Sequence, residues 1–101
     1  KIMQTGTDHI AISIRELEES NLSLGRAKNE FVCLMNLDIR TGRTNEQKIK
    51  LVKALISGVE KFFHIQKKNQ YVTITNHGGI EFNFYEKSLT DWTKNDDPAK
   101  N

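Results

Sequence analysis

Apolar residues recur along this chain at two periods, and the alternation between them outlines the fold. Ile10, Ile12 and Ile14 repeat every second position, with His9, Ala11, Ser13 and Arg15 between them, which predicts a first strand. A polar stretch from Glu18 to Glu30 follows and predicts a long loop with a turn at Gly25. From Phe31 to Ile39 the period of two returns. Phe31, Cys33, Met35, Leu37 and Ile39 share one face, while Val32 and Leu34 make the start of the other face apolar too. A strand apolar on both sides is expected in the interior of a sheet.

The period then changes. Gly42 provides the backbone freedom for a tight strand-to-helix turn, and Thr44-Asn45-Glu46-Gln47 is a capping box. Glu46 adds negative charge where the helix dipole is positive. Val52, Leu55, Ile56, Val59, Phe62 and Phe63 follow at spacings of three and four, so an amphipathic helix is predicted from Asn45 to His64, about 30 Å long. Beyond a polar connector, Tyr71 to Thr75 and Ile80 to Tyr85 alternate again around a turn at Asn76-His77-Gly78-Gly79. The predicted class is α+β in the order β-β-α-β-β: a mixed sheet with one long helix on one face. The Phe31 strand, the helix and the Tyr71 strand form a βαβ unit, whose strands are expected to be parallel and joined by a right-handed crossover. One helix covers one face, so the other is expected to seek a partner subunit.

Composition narrows the function classes. At 101 residues the chain is expected to form a single domain over residues 1–93, with a frayed tail over 94–101. Fifteen Lys/Arg against thirteen Asp/Glu leave a net charge of +2, which argues against a strongly cationic nucleic-acid binder. The lysines at 48, 50, 53 and 61 are interleaved with acidic residues and read as a solvated helix face. The longest apolar runs are five residues, too short for a membrane span. A lone cysteine, Cys33, makes no intrachain disulfide and fits a reducing, cytoplasmic setting.

Few residues carry chemistry. Arg43 offers a guanidinium fork for a carboxylate, or is an exposed charge flanking the helix start; Arg40, three residues earlier, can share that role. His9, His64 and His77 are too scattered for metal ligation. His64 suits the helix C-terminus, and His77, beside Gly78-Gly79, is the best acid/base candidate. Cys33 alternates with Phe31 and Met35 and reads as an inert core thiol. Gly78-Gly79 lacks the residues of a phosphate loop. Phe82, Phe84, Tyr85 and Trp92 either wall a pocket or bury themselves between subunits, the second being favoured in so small a chain.

The run from Phe31 to Ile39, then Gly42-Arg43-Thr44-x-Glu46-Gln47-Lys48, a long amphipathic helix and a short strand, resembles the βαβ unit of the tautomerase superfamily. It is most similar to the 5-carboxymethyl-2-hydroxymuconate isomerase family. The resemblance spans roughly Ile10 to Phe84 and is concentrated in Phe31 to Thr75. It implies keto–enol tautomerisation of a small unsaturated hydroxy(di)carboxylate, with neither metal nor organic cofactor, in a homo-oligomer for which a trimer is favoured. It places a carboxylate-holding role on Arg43, with Arg40 and Arg15 as further substrate-binding candidates. It also implies an amino-terminal proline as general base and a strand and helix ahead of the matched region. Here residue 1 is lysine and the single proline is Pro98. Catalysis by that route is therefore expected only if a proline precedes Lys1. The alternative is a non-catalytic oligomeric module of the same fold that binds a small anion at a subunit interface.

Overall fold

The computed structural model describes residues 2–3 and 10–94. The predicted unit is present: β1 (Cys33–Arg40), α1 (Asn45–Phe63) and β2 (Gln70–His77), with β1 and β2 hydrogen-bonded in parallel. The register runs from Cys33 opposite Gln70 to Arg40 opposite His77, so both strands end level. One further backbone bond, from Thr41 N to the His77 carbonyl at 2.8 Å, extends the pairing past Arg40.

Each element has a local cause. Alternation in β1 places Met35, Leu37 and Ile39 on the less exposed face, in register with Val72 and Ile74 of β2. Of the predicted helix stripe, Val52, Leu55, Ile56 and Val59 are half-buried, as is Leu51, whereas Phe62 and Phe63 in the last turn are exposed because no described element packs over them. The capping box forms as expected: Gln47 N donates to Thr44 Oγ1 at 3.1 Å, and Thr44 N donates to Gln47 Oε1 at 2.9 Å. At the other end His64 adopts φ 59°, and its N–H closes on the Glu60 carbonyl. The buried Gln70 side chain fastens helix to strand by donating to the Ile56 and Ile65 carbonyls, each at 3.0 Å.

The outer strands differ from expectation. Residues 10–18 form no regular structure, and no described strand pairs with them; Ile12 is 80% exposed. Alternation alone does not make a strand, because its backbone donors and acceptors need a partner edge. The expected strand from Ile80 to Tyr85 is replaced by a 3-10 turn, Gly79–Glu81, and a narrow antiparallel bridge between Asn83 and Ser88. Here a local cap outcompetes alternation: Glu81 Oε2 accepts from Gly78 N at 2.9 Å and bends the chain away from the sheet. The described sheet is thus two-stranded and parallel rather than mixed, and β1 is an edge rather than a central strand. Phe31 precedes β1 and is 83% exposed, not part of its inner face.

The face away from the helix carries no described covering element and is polar along its later half. Asn36 Oδ1 accepts from Thr73 Oγ1 at 2.8 Å and from Thr75 Oγ1 at 3.2 Å, and Asp38 bonds His77. Leu34 and Tyr71, opposite each other at the start of that face, are exposed, as are Phe31, Phe62, Phe63, Ile80 and Tyr85 away from it. No described helix is long and apolar enough to cross a membrane. His9 and residues 95–101, with Pro98 and nearly all of the expected frayed tail, lie outside the described residues.

Candidate functional site

The level ends of β1 and β2 gather the chemistry-bearing residues. β1 delivers Arg40 beside His77 of β2, and Gly42 then turns the chain into α1 with φ 122°, a conformation that favours glycine. Arg43 follows, immediately ahead of the helix cap. A short strap, residues 90–92, crosses both strand ends: Trp92 N donates to the Thr41 carbonyl at 2.9 Å. It lies so close that a Cβ at Gly42 would overlap the Trp92 carbonyl, and one at Gly79 would overlap the Thr90 carbonyl. The two glycines are therefore seats for the strap.

Arg40 and Arg43 are both buried here, at 5% and 8% exposure, so neither is the solvated charge that flanks an ordinary helix start. Arg40 Nη1 donates to the Thr90 carbonyl at 2.8 Å. Arg43 Nη2 donates to the Met3 carbonyl at 3.0 Å, and its guanidinium carbon stands 5.0 Å from the centre of the Trp92 ring. Asp91 closes the cluster by accepting from Gly79 N at 2.6 Å. That bond, together with one from the Thr41 hydroxyl and the nearby Arg40 charge, holds its carboxyl below the usual aspartate range, against a smaller desolvation effect.

His77 is the second functional group at this end. Its Nε2 lies 2.8 Å from Asp38 Oδ1, its Nδ1 lies 3.9 Å from Glu81 Oε2, and its ring meets Phe82 edge-on at 5.5 Å. Cys33 stands at the opposite end of β1, where burial pushes its thiol pKa up, in keeping with an inert thiol. Arg15 is exposed on the irregular stretch before the 3-10 turn Glu19–Asn21 and forms no part of the strand-end cluster. The expected aromatic group divides: Trp92 is buried against Arg43, Phe82 packs on His77, and Tyr85 is exposed. Among the described residues no group of three or more His, Cys, Asp or Glu side chains is placed to hold a metal ion.

Three solved structures share this architecture. A member of the 4-oxalocrotonate tautomerase family, N2, superposes with a TM-score of 0.60 at 27% identity, over 62% of this chain and 98% of its own. The chain folds as a tautomerase-like domain. A trans-3-chloroacrylic acid dehalogenase, solved after covalent inactivation by 3-bromopropiolate, matches at 0.55 and 29% identity, over 58% of this chain and 97% of its own. Another structure, from work on trans-3-chloroacrylic acid dehalogenase activity, matches at 0.52 and 27%, over 55% and 97%. No protein-family model and no curated protein matches the sequence. The tautomerase-like domain thus accounts for nearly all of each neighbour, and a good third of this chain lies beyond the matched part.

Asp38, Asp91 and the strap were not singled out by sequence reasoning. One signal was available: Gly42 and Gly78 each follow a strand by one or two residues. Aligning these stops brings the Asp38–Arg40 end of β1 beside His77.

Proposed function

We propose that this domain binds a small unsaturated hydroxy(di)carboxylate and promotes its keto–enol tautomerisation, in the manner of a carboxymethyl-hydroxymuconate isomerase. The observation that carries the reading is the pair of buried arginines at the strand ends, Arg40 and Arg43, within a fold shared with tautomerase and dehalogenase neighbours. Each guanidinium already holds a backbone carbonyl oxygen, from Thr90 or Met3, at hydrogen-bonding distance. A carboxylate oxygen makes the same contact more strongly because it is charged. Arg43 is the holder in this reading and Arg40 its neighbour. The charge that grows on a dienolate would be stabilised by the same donors. Arg15 joins the site only if its segment reorders in an assembly.

The oligomeric component rests on a separate observation. Phe31, Phe62, Phe63, Ile80 and Tyr85 are exposed on a domain whose described buried apolar residues are Ile39 and Trp92. So thin a core calls for further buried area, which a homo-oligomer, with a trimer favoured, would supply. A non-catalytic anion-binding module of the same fold draws on the same surfaces.

The test is ultraviolet detection of 2-hydroxymuconate ketonisation by the wild-type chain and by Arg43→Ala. Enzyme-dependent ketonisation that falls at least about tenfold in the variant supports the tautomerase reading. Ketonisation no faster than in buffer leaves the binding-module reading, and equal rates in both proteins remove Arg43 from the site.

A further inference from the structure

We infer that His77 and Asp38 form the proton-transfer pair of this domain, with His77 as the base that touches substrate and Asp38 as its positioning residue. The inference rests on the tautomerase reading and assigns to His77 the base role that the family resemblance places on an amino-terminal proline.

The geometry is that of an oriented imidazole. A carboxylate only accepts, so Asp38 Oδ1, 2.8 Å from Nε2, fixes the proton on Nε2 and leaves the lone pair on Nδ1. Glu81 is 3.9 Å from Nδ1, beyond hydrogen-bonding distance, and its Oε2 is already taken by Gly78 N. The Phe82 ring meets the imidazole edge-on and limits its rotation. The His77 side chain is 30% exposed, so the ring is open to solvent at this end of the sheet. The register sets Arg40 directly opposite His77, one strand spacing away, about 5 Å. The base therefore shares one end of the sheet with Arg40, the neighbour of the carboxylate holder Arg43. The charged groups around the imidazole are Asp38 and Arg40 from β1 and Glu81 from the 3-10 turn.

The step balances without a co-reactant. The Nδ1 lone pair takes the enol hydroxyl proton, and the O–H electrons form the carbonyl π bond. The enol carbon–carbon π pair moves one bond along the chain, and the π pair of the distal double bond forms a C–H bond at its far carbon with the proton returned by the imidazolium. The imidazole and its bond to Asp38 are restored.

The test uses the ketonisation assay on the full chain with His77→Gln, His77→Ala and Asp38→Asn. Wild type should be active, and His77→Gln should lose about 100-fold or more in kcat, as for removal of a general base. Asp38→Asn should lose roughly tenfold or more in kcat with KM within about twofold, since the ring loses its orientation but the substrate contacts remain. Added imidazole should restore part of the rate to His77→Ala and none to Asp38→Asn, a response a structural role would not produce. His77→Gln or Asp38→Asn within about threefold of wild type overturns the inference and leaves the tautomerase reading intact. If the His77 variants fail to keep the wild-type circular dichroism, Asp38→Asn decides by the same criterion. An inactive wild type overturns both.

Discussion

Replacing Gly42 with alanine should destabilise this domain far more than the loss of one hydrogen atom suggests. Gly42 has φ 122°, and a Cβ there would overlap the Trp92 carbonyl. Holding a non-glycine residue at such a φ costs about 1–3 kcal/mol, and forcing the packed strap aside costs about a further 1–3 kcal/mol. The expected loss is therefore roughly 2–6 kcal/mol, a large part of the stability of an ordinary small domain. Urea unfolding, followed by circular dichroism and by the fluorescence of the single tryptophan, measures it. The emission should also move to longer wavelength, because Trp92 is 6% exposed and its segment is what must move. Gly25→Ala is the control: nothing lies within 4 Å of its Cβ position, and it should stay within about 0.5 kcal/mol of wild type. A Gly42→Ala protein within 0.5 kcal/mol of wild type, with unshifted emission, would refute the account of the strap.

Gly58→Ala, in the interior of α1 with open space around the new methyl, should stabilise the domain by about 0.8–1 kcal/mol in the same unfolding experiment. Thr44→Ala removes the side-chain half of the capping box and should lower stability by about 1 kcal/mol by the same measure. The Asp91 carboxyl is held below its ordinary range, so its contribution to stability is present above the unfolded-state pKa of about 3.9 and disappears as pH falls through the lower folded value. Urea midpoints measured between pH 6 and pH 2.5 should therefore fall less steeply for Asp91→Asn than for wild type at the acid end. Sedimentation should show a stable oligomer, and a clean monomer at micromolar concentration would count against a subunit interface.

The parts legible from sequence are those set by short-range chemistry. The capping box, the turn at Gly42, the apolar stripe of α1 and the parallel pairing around it follow from residue types within a few positions of one another. The misplaced parts depend on what lies across from them. Ile10, Ile12 and Ile14 have strand periodicity but no described partner edge, and Ile80 to Tyr85 yields to the bond between Glu81 and Gly78 N. Arg43 was recognisable because it adjoins Gly42 and the cap. Its burial against Trp92 was not, because 49 positions separate the two and only the strap brings them together. The pairing of Asp38 with His77 is likewise a product of register, invisible until both strands have fixed ends.

The central claim is that Arg43 holds a substrate carboxylate, and removing the charge from each side of that contact tests it most directly. Ketonisation of a 2-hydroxymuconate-type enol would be compared with that of its methyl ester, in wild type and in Arg43→Ala. A charge-assisted hydrogen bond is worth about 1.5–3 kcal/mol, so wild type should favour the free acid by about 10- to 150-fold in kcat/KM. In Arg43→Ala that preference should shrink to within about threefold, because the ester and the variant remove the same interaction. An acid-over-ester preference left unchanged by Arg43→Ala would contradict the account.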